Sequence, residues 1–480
     1  MSQPVLNIAQ VRAWEDQTWA SGCSQVVVIE QAGQAIAKRL LYHSHAKDAI
    51  LVLAGRGHNG DDARAAAKHL PGRLVTLLEV ADPAVALEPI QHWLLSHPHH
   101  RAWVVDGLFG IGLNRPLEGD WLKLVQLLNE SGFPILAVDV PSGLNADTGE
   151  PLGAAVRAAV TVTFGAAKMG LVTSGAAEFT GRLEVVPDIG LIPCPFTNDL
   201  HWTLPESFSG FPPRRPVAGH KGSFGHLCII AGSPGYHGAA VLAAQGAQRA
   251  QPGLITLIVP EGILGPVASQ LRSTMVHAWQ TDRWTEQGFD AILFGPGLAS
   301  TALADDFKRK MGRIWRESPL PVVADASALD WLPQGPTCPK ALRLITPHPG
   351  EAARMLHRTA AEIQKDRPTA VHNLSRLHGG CHVVLKGYLS LIGSSEGTVF
   401  VNPSGNPHLA QGGAGDLLAG FLAGLLAQSA LQTNPMLTIR YGVWAHGQAA
   451  DNLSHMRSNW NLDDLAAELG DTGENTAINL

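Results

Sequence analysis

The chain has 480 residues, of which 45% are hydrophobic and 16% are charged, and this composition predicts a folded protein of two domains rather than a disordered chain. Its net charge of −6, without a cluster of basic residues, argues against nucleic acid and acidic membrane surfaces as partners, so we expect small molecules. The longest apolar run, residues 417–431, contains glycines and is short for a membrane span, so no membrane segment is expected.

The five cysteines are scattered along the chain and include no CxxC pair. This pattern suggests neither a disulfide framework nor a thiolate zinc site, and it fits a reducing compartment. The N-terminal residues lack the basic start and the apolar core of an export signal. We therefore expect a cytoplasmic protein.

Short apolar runs alternate with helical patterns in the first half of the chain. Residues 49–54 predict a buried strand, which a Gly-rich turn at 55–62 joins to a helix at 63–70. Further strands are predicted at 73–79, 103–106 and 135–139. Alternating strands and helices predict a doubly wound parallel sheet, whose ligands bind at the carboxyl ends of the strands.

Polar side chains follow three of these strands. They are Asn59 with Asp61 and Asp62, then Asp106, then Asp139 with Ser142. Carboxylates that gather at one sheet edge repel each other, and a cation with oxygen ligands would relieve the repulsion. Each aspartate taken alone is also explained as a cap or turn residue. Three successive strand ends together favour a functional site.

Four segments of this half resemble signature blocks of the NAD(P)H-hydrate epimerase family: GRGHNGDD at 55–62, DGLFGIG at 106–112, VDVPSGL at 138–144 and TFGAAK at 163–168. The resemblance covers residues 1–205 and implies a Rossmann-like domain. Such a domain interconverts the R and S forms of hydrated NADH and NADPH and binds a potassium ion.

The resemblance also implies roles for individual residues. Asn59, Asp106 and Ser142 would hold the potassium ion, and Asp139 would transfer protons, because the hydrated carbon must lose and regain a hydroxyl group. The implied hydrate-binding residues are His58, Asn59, Gly60, Asp61, Asp62, Gly110, Ile111, Gly112, Leu113, Asn114, Arg115, Pro116 and Asp139.

The first loop departs from the family pattern at two positions. Asp61 and Ala63 stand where the family has glycine, which lets a ligand approach the backbone closely. The additional negative charge of Asp61 near a diphosphate is expected to weaken hydrate binding. The sequence therefore leaves the activity of this half open.

Prolines concentrated between residues 193 and 216 interrupt the periodic pattern and predict a stiff linker at 206–221. A second α/β domain is expected at 222–480, because strand patterns that end in Gly-rich or polar turns recur there. These strands are predicted within 225–233 and at 254–259, 290–294, 321–324, 343–346 and 382–385.

Residues 402–426 run from a turn-rich loop through Gly412-Gly413-Ala414-Gly415 into Asp416 and a long apolar helix. Glycine amides and a helix N-terminus together predict a phosphate site. A carboxylate repels such a ligand, so Asp416 needs a role, and abstraction of a proton from a hydroxyl beside the phosphate would supply one. The alternative is that Asp416 only caps the helix.

The motifs of this half resemble the ribokinase-like superfamily and, within it, the ADP-dependent NAD(P)H-hydrate dehydratases. They are KG at 221–222, GSPGYHGA at 232–239, GPG at 295–297, TPHPGE at 346–351, LKG at 385–387, GNP at 405–407 and GGAGD at 412–416. The resemblance implies that a phosphoryl group of ADP passes to the hydroxyl of the S hydrate. Loss of phosphate then restores the nicotinamide double bond and leaves AMP.

Asp416 is implied as the base of this reaction, with Mg²⁺ bridging the nucleotide phosphates. The implied hydrate-binding residues are Ala239, Gly297, His348, Asn406 and Asp416. The implied nucleotide-binding residues are Lys386, Gly387, Gly412, Gly413, Ala414 and Gly415. Departures from the family pattern occur at Ser327, His408 and Gln411.

Several alternatives stay open at this point. His348 between two prolines is also explained as a turn residue, and Lys386 as a solvated residue at a strand end. The fusion of two such domains resembles the bifunctional NAD(P)H-hydrate repair enzymes. Alternatives are a ribokinase-like kinase of a small alcohol or vitamin precursor with a non-catalytic N-terminal domain, and a nucleotide-sensing or scaffold protein. Nucleotide preference and metal identity stay open, and a homo-oligomer is the expectation for such folds.

Overall fold

The computed structural model describes residues 2–97, 101–279, 285–299 and 303–470, and the chain divides into two compact units. The first unit spans Ser2–Trp202, and the second begins at Thr203. Within the described residues, none of the helices combines the length and apolar character that a membrane crossing requires.

The first unit alternates strands and helices in the order that the sequence predicts. Its elements are β1 (Ser2–Pro4), α1 (Ile8–Ala20), α2 (Gln25–His43), β2 (Ala49–Ala54), α3 (His58–Lys68), β3 (Leu74–Glu79), α4 (Pro83–Ser96), β4 (Ala102–Gly107), α5 (Asp120–Glu130), β5 (Ile135–Val138), β6 (Val160–Phe164), α6 (Ala177–Thr180), β7 (Arg182–Val186) and β8 (Leu200–Thr203), whose last residue opens the second unit.

Six strands of this unit form a wholly parallel sheet in the order β3-β2-β4-β5-β6-β7. The central strands β2, β4, β5 and β6 are buried along their whole length, which explains the continuous apolar sequences of β2 and β5. The strand order reverses between β2 and β4. Loops that leave the carboxyl ends of two strands at such a reversal diverge and open a crevice for ligands.

The second unit has the same alternation. Its elements are β9 (His226–Ile230), α7 (His237–Ala250), β10 (Leu254–Val259), α8 (Leu264–Ala268), β11 (Met275–Ala278), β12 (Ala291–Phe294), α9 (Asp305–Glu317), β13 (Val322–Ala324), β14 (Arg343–Ile345), α10 (Pro349–Leu356), α11 (Ala360–Lys365), α12 (Arg367–Leu377), β15 (His382–Leu385), β16 (Leu391–Gly393), β17 (Val399–Val401), α13 (Ala414–Leu426), α14 (Ser429–Gln432), α15 (Pro435–Met456) and α16 (Leu462–Glu468).

Nine of these strands follow the order β17-β16-β15-β14-β13-β12-β9-β10-β11. The strands from β15 to β11 run parallel, whereas β16 is antiparallel to both β15 and β17. The order reverses between β9 and β12, so a second crevice is expected where these two strands end. The predicted α/β class of both halves is confirmed.

Helix α13 is held close to α7 by glycines on both helices. A β-carbon at Gly246 would lie 2.0 Å from the Leu417 carbonyl oxygen, and one at Gly420 would lie 1.9 Å from the Ala243 carbonyl oxygen. No side chain fits at either position, so the two backbones are in direct contact. This packing fixes the position of the N-terminal turn of α13, which carries Asp416.

One predicted boundary is wrong. The Gly-rich turn was expected to extend through Asp62, but α3 begins at His58 with Gly57 as its N-cap. Asp61 lies in the first helical turn, where a negative charge interacts favourably with the helix dipole. Ala63 is therefore an interior helical residue, and it packs against Gly107 of β4, where a β-carbon would lie 2.4 Å away.

The residues of the predicted linker, 206–221, lie in the second unit. Residues 209–220 carry no helix or strand. Phe208 is buried, with its ring centroid 5.7 Å from that of Tyr441 on α15.

Candidate active sites

A cavity of about 530 Å³ lies in the first unit beside the reversal of strand order. Helices α1 and α2, the start of α3 and the loop 108–115 line it, together with Asp139, Phe164 and Lys168. The cavity therefore collects side chains from the ends of β2, β4, β5 and β6. This is the edge at which the sequence predicts a site.

Asp106 and Ser142 form a buried pair at this edge. The carboxylate of Asp106 accepts hydrogen bonds from the Ser142 hydroxyl at 2.6 Å and from the Ser142 amide at 2.9 Å. Burial raises the pKa of Asp106, and the bonds from Ser142 oppose that shift. The Ser142 hydroxyl also accepts a hydrogen bond from the Phe109 amide at 2.9 Å, and this bond joins the loop after β4 to the loop after β5.

Asn59 lies next to this pair. A β-carbon at Gly110 would be 3.0 Å from Asn59 Oδ1, so the loop after β4 lies against the Asn59 side chain. Asn59 is buried, and its Nδ2 atom has no hydrogen-bond partner within the described residues. The three residues implied as potassium ligands thus come together, and their donors are an amide, a carboxylate and a hydroxyl.

Asp139 follows β5 with a positive φ of 62°, a backbone conformation that non-glycine residues seldom adopt. Its Oδ1 accepts hydrogen bonds from the Thr163 hydroxyl at 3.0 Å and the Phe164 amide at 3.3 Å, and it forms an ion pair with Lys168. Lys168 is 1% exposed. These contacts hold the strained backbone in place. The sequence alone indicates no role for Lys168, although this residue closes the TFGAAK motif.

Two further carboxyl groups line the same cavity, Glu15 on α1 and Asp62 on α3. Burial is the main cause that raises the pKa of both groups, and the charge of Asp139 adds to it. The pKa of Asp62 is raised well above its usual value. Sequence reasoning did not single out Glu15, because an acidic residue in an amphipathic helix looks like part of a solvated face.

Most of the implied hydrate-binding residues line the cavity, but three do not. The lining includes His58, Asn59, Asp62, Asp139 and the loop residues from Gly110 to Arg115. Gly60 packs against Gly55 instead, and Pro116 lies beyond the lining. Asp61 forms an ion pair with Arg64 at 2.9 Å, and its side chain is 43% exposed.

In the second unit, the turn that precedes α13 places Asp416 in the first turn of the helix. Gly413 is the N-cap, with a φ of 104°, and no side chain caps the helix. Asp416 is therefore not the cap, and the capping alternative for this residue is wrong. Burial, followed by the charge of Asp325, raises the pKa of Asp416 to about 7, against the opposing effect of Lys386.

Lys386 follows β15 and contacts two carboxylates from neighbouring strand ends. Its Nζ lies 3.0 Å from Asp325 Oδ1 and 4.0 Å from Glu351 Oε2. Asp325 also accepts the Thr346 hydroxyl at 2.6 Å. Burial opposes the charge of Lys386, but the two carboxylates outweigh it and raise the pKa of the ammonium group. The lysine is 19% exposed and paired, so the alternative of a solvated strand-end residue is wrong.

Gly415 connects this network to the helix that carries Asp416. A β-carbon at Gly415 would lie 3.1 Å from Lys386 Nζ, so the ammonium group rests against the first turn of α13. His446 on α15 is also buried here, and its Nε2 atom has no partner within the described residues. Burial lowers the pKa of His446 to about 4, against a hydrogen bond with the Ala414 backbone.

His348 and Asn406 are both positioned by their own backbone surroundings. His348 caps α10, where its Nδ1 accepts the amides of Gly350 at 3.0 Å and Glu351 at 3.3 Å, and half of its side chain is exposed. The proton of a neutral His348 therefore resides on Nε2. Asn406 donates to Asp451 Oδ1 at 3.0 Å, and the Gly405 amide donates to the other oxygen at 3.0 Å.

The remaining implied residues lie around the same sheet edge. Gly297 has a φ of 66°, and a β-carbon there would lie 2.8 Å from Ala239 Cβ, so these two residues are in contact at the crevice between β9 and β12. Gly387 has a φ of 132° beside Lys386. Gly412 has open space around it.

Two metal arrangements are implied by the sequence. Within the described ranges, no group of three His, Cys, Asp or Glu side chains is arranged to hold an ion. A dedicated cage for a divalent ion would need such a group. The oxygen donors at Asn59, Asp106 and Ser142 fit a monovalent cation, which needs fewer charged ligands.

Comparisons with known proteins give consistent matches to both units. Residues 227–471 match the family model described as NAD(P)H-hydrate dehydratase, and residues 25–88 and 78–170 match the model described as YjeF-related protein N-terminus. The chain is 34% identical over 466 residues to the bifunctional NAD(P)H-hydrate repair enzyme Nnr of Coxiella burnetii, covering 92% of this chain and 93% of that protein. Its identity to the enzyme of the same name from Gloeobacter violaceus is also 34%, over 510 residues, covering 97% and 96%.

One solved structure is that of the ADP/ATP-dependent NAD(P)H-hydrate dehydratase from Bacillus subtilis, co-crystallised with ATP and Mg²⁺. It is 29% identical and covers 54% of this chain and 91% of that chain, with a TM-score of 0.48.

Proposed function

Since the chain belongs to the family of bifunctional NAD(P)H-hydrate repair enzymes, we propose that it restores hydrated NADH and NADPH in two steps. The first unit interconverts the R and S hydrates. The second unit dehydrates the S hydrate with ADP and releases AMP and phosphate. The observation that carries this proposal is Asp416, a partly buried carboxyl group with a pKa of about 7 in the first turn of α13.

Asp416 acts as the general base of the dehydration. It takes the proton from the hydrate hydroxyl while that oxygen bonds to the terminal phosphorus of ADP and the bond to AMP breaks. A base with a pKa near 7 is about half ionised in neutral solution and accepts a proton more readily than an ordinary carboxylate. Phosphate then leaves with the carbon–oxygen bond pair, and loss of a proton from the adjacent ring carbon restores the double bond.

The charge that develops on the transferred group faces two features of the structure. The amides of Gly413 and Gly415 lie at the N-terminus of α13, where the helix dipole favours anions, whereas the Ala414 amide between them already donates to the Gln411 carbonyl at 3.2 Å. Lys386, with Gly387 and Gly412 beside the nucleotide, supplies a partly buried positive charge. Mg²⁺ bound to the nucleotide would neutralise phosphate charge, which agrees with a site that has no dedicated cage of acidic residues in its described part.

The hydrate is bound by residues around the adjacent crevice. His348 exposes about half of its side chain at the start of α10, with its Nε2 3.5 Å from Glu351 Oε1, and Asn406 is oriented by Asp451. Ala239 has a small side chain and Gly297 has none, so a ligand can approach the backbone closely at these two positions.

In the first unit, the cavity next to Asp139 receives the hydrated ring, and Asp139 exchanges a proton with the hydroxyl group. Asn59, Asp106 and Ser142 would hold K⁺ through their oxygen atoms, since a side-chain amide, a carboxylate and a hydroxyl supply the donors that suit a hard monovalent ion. Such a cation would offset the negative charge of the cavity.

The cellular setting is part of the same proposal. None of the five cysteines, all of which lie in the described residues, forms a disulfide, which supports a reducing cytoplasm. The partners are small molecules, namely the hydrates and ADP, without nucleic acid or membrane. A homo-oligomer is proposed on the general tendency of such folds.

The test is to incubate the whole protein with purified S hydrate, Mg²⁺ and either ADP or ATP. We expect the absorbance of the reduced nicotinamide to return with ADP and AMP to appear in equal amounts. No recovery with either nucleotide would overturn the dehydratase proposal, and accumulation of a phosphorylated hydrate would favour the kinase alternative. The epimerase half is tested separately with pure R hydrate and no nucleotide, by chromatography of the two epimers.

A further inference from the structure

Glu15 is an acidic group in the cavity of the first unit for which the proposed epimerisation has no role so far. It lies on α1, and the preceding residue, Trp14, packs over the end of β6. A β-carbon at Gly165 would lie 2.9 Å from the Trp14 ring, and the Trp14 indole donates to the Ile192 carbonyl at 2.9 Å. Helix α1 therefore covers the carboxyl edge of the sheet from which Asp139 projects.

The proposed reaction needs proton transfer on two faces of the substrate ring. Hydration places the hydroxyl on the carbon beside the ring nitrogen. To invert this carbon, the carbon–oxygen bond breaks as the nitrogen lone pair forms a C=N⁺ bond, and the hydroxyl leaves as water after it gains a proton. A water molecule then adds from the opposite face and loses a proton. One acid and one base are therefore required, on opposite sides of the ring.

We infer that Glu15 is the second proton-transfer group of this site and faces Asp139 across the hydrated ring. In one direction Glu15 donates the proton to the departing hydroxyl, and Asp139 accepts the proton of the incoming water. In the reverse direction they exchange these roles. The net reaction replaces one hydroxyl by another, no atom is oxidised or reduced, and the protons re-equilibrate with solvent. This inference rests on the proposed epimerase activity.

The electrostatic surroundings of Glu15 suit a proton donor. The charged groups around it are Asp139, Lys168, His58 and Asp16, with Asp62 in the same cavity. Burial, and then the charge of Asp139, raise the pKa of Glu15, while Lys168 and His58 oppose the shift. Its side chain makes no hydrogen bond or ion pair within the part of the chain that the structure describes, so its carboxyl group is available to a ligand in the cavity.

Asp62 is the competing candidate, and its position distinguishes it from Glu15. Asp62 lies near the start of α3, three residues after Asn59, and so comes from the same sheet edge as Asp139. Glu15 comes from the covering helix α1 instead. A ring bound between α1 and the sheet edge would therefore have Glu15 on one side and Asp139 on the other.

The test uses Glu15→Gln in the full-length protein, assayed with pure R hydrate and no nucleotide in water enriched in oxygen-18. Mass spectrometry follows both the epimer ratio and the label in the product. We expect kcat to fall at least about a hundredfold with KM within about threefold. Dehydration of S hydrate with ADP should not change. Asp16→Asn is the matched control, since Asp16 is the exposed neighbour, and it should epimerise normally.

A positioning or purely structural role would give other results. A Glu15→Gln protein that keeps kcat within threefold, or that loses thermal stability together with activity, overturns the inference, as does a full loss in Asp62→Asn with none in Glu15→Gln. Glu15→Asp should recover part of kcat, and Glu15→Gln should lack one limb of the bell-shaped pH profile of the wild type. A wild-type protein that does not epimerise R hydrate would overturn the proposed function as well, so the two failures are distinguishable.

Discussion

Both candidate sites contain a lysine with little exposed surface that contacts an aspartate at the end of a parallel strand, but the two units use this pair differently. In the first unit Lys168 contacts Asp139, which is itself the proposed proton-transfer group. In the second unit Lys386 contacts Asp325, whereas the proposed base is Asp416 on the neighbouring helix. Lys168 therefore pairs with the proposed reacting group itself. Lys386 pairs instead with Asp325, whose charge raises the pKa of the proposed base.

The difference separates two ways to set the charge of a carboxyl group. A carboxylate that contacts an ammonium group is favoured in its ionised form. A buried carboxyl group without such a contact has a raised pKa, as Asp416, Asp62 and Glu15 do. We propose that the carboxyl group with the raised pKa acts as a base in the second unit and as an acid in the first. Substitutions of Asp416 and of Glu15 should therefore affect the two activities separately.

The largest effect is expected for Asp416→Asn. Because the base is lost while the pocket keeps its shape, dehydration of S hydrate should fall at least about a hundredfold. Epimerisation of R hydrate by the same sample should be unchanged, which serves as the internal control. Measured turnover within threefold of wild type would remove Asp416 from the reaction.

The pH dependence of dehydration and of thermal stability gives a second test of the role of Asp416. Since the base must be ionised, dehydration by the wild type should rise with pH and level off above about pH 7. The raised pKa of folded Asp416 also means that its contribution to stability is present at pH 4 and is lost as pH rises through about 7. Asp416→Asn should therefore melt at a higher temperature than wild type at pH 8, with little difference at pH 4, as measured by calorimetry.

A smaller effect on turnover is expected when either lysine is replaced by methionine. Lys386→Met leaves Asp325 and Glu351 without their cation, and such a loss costs about 3–5 kcal/mol of folding stability. Dehydration should fall at least about tenfold. Its pH midpoint should move upward, because the charge of Lys386 lowers the pKa of Asp416.

Lys168→Met is the counterpart in the first unit and the control for the first variant. It should impair epimerisation and leave dehydration intact, because Asp139 loses its ion pair. An unchanged pH midpoint for dehydration in Lys386→Met would contradict the proposed coupling between Lys386 and Asp416.

The two glycines of the loop before α13 offer a finer test. A β-carbon at Gly415 would meet Lys386 Nζ at 3.1 Å, whereas one at Gly412 would meet nothing within 4 Å. Gly415→Ala should displace the Lys386 ammonium group and lower the rate of dehydration roughly tenfold. Gly412→Ala leaves Lys386 in place, so kcat should stay within about twofold, and its effect should fall on the KM for ADP, because Gly412 is proposed to lie beside the nucleotide. Equal effects of the two variants would show that Lys386 does not act through this contact.

The strand ends were the part of both sites that the sequence could predict, because apolar runs followed by polar turns mark where parallel strands stop. That pattern located Asp106, Asp139 and Lys386. It could not show that His348 binds the amides of its own helix, nor that Asp61 turns toward Arg64, because these depend on side-chain directions. Glu15 was missed for a similar reason, since its role depends on how α1 packs across the sheet.

The smallest effect is expected at Asp61, the departure from the family pattern that raised doubt about the first unit. The sequence suggested that its charge would repel a diphosphate. In the structure Asp61 pairs with Arg64, whose guanidinium also binds Glu79 at 2.6 Å and the Gly55 carbonyl at 2.6 Å, and Asp61 does not line the cavity. Asp61→Asn removes the charge and keeps the helix, so KM for R hydrate should change by less than about threefold, in keeping with the small energy of an exposed ion pair. The salt dependence of KM is the control, because a charge that acted on the diphosphate would give wild type and variant different slopes. A fall in KM of more than tenfold in Asp61→Asn would show that the charge reaches the ligand despite Arg64, and the first unit would then be an epimerase site impaired by a single residue.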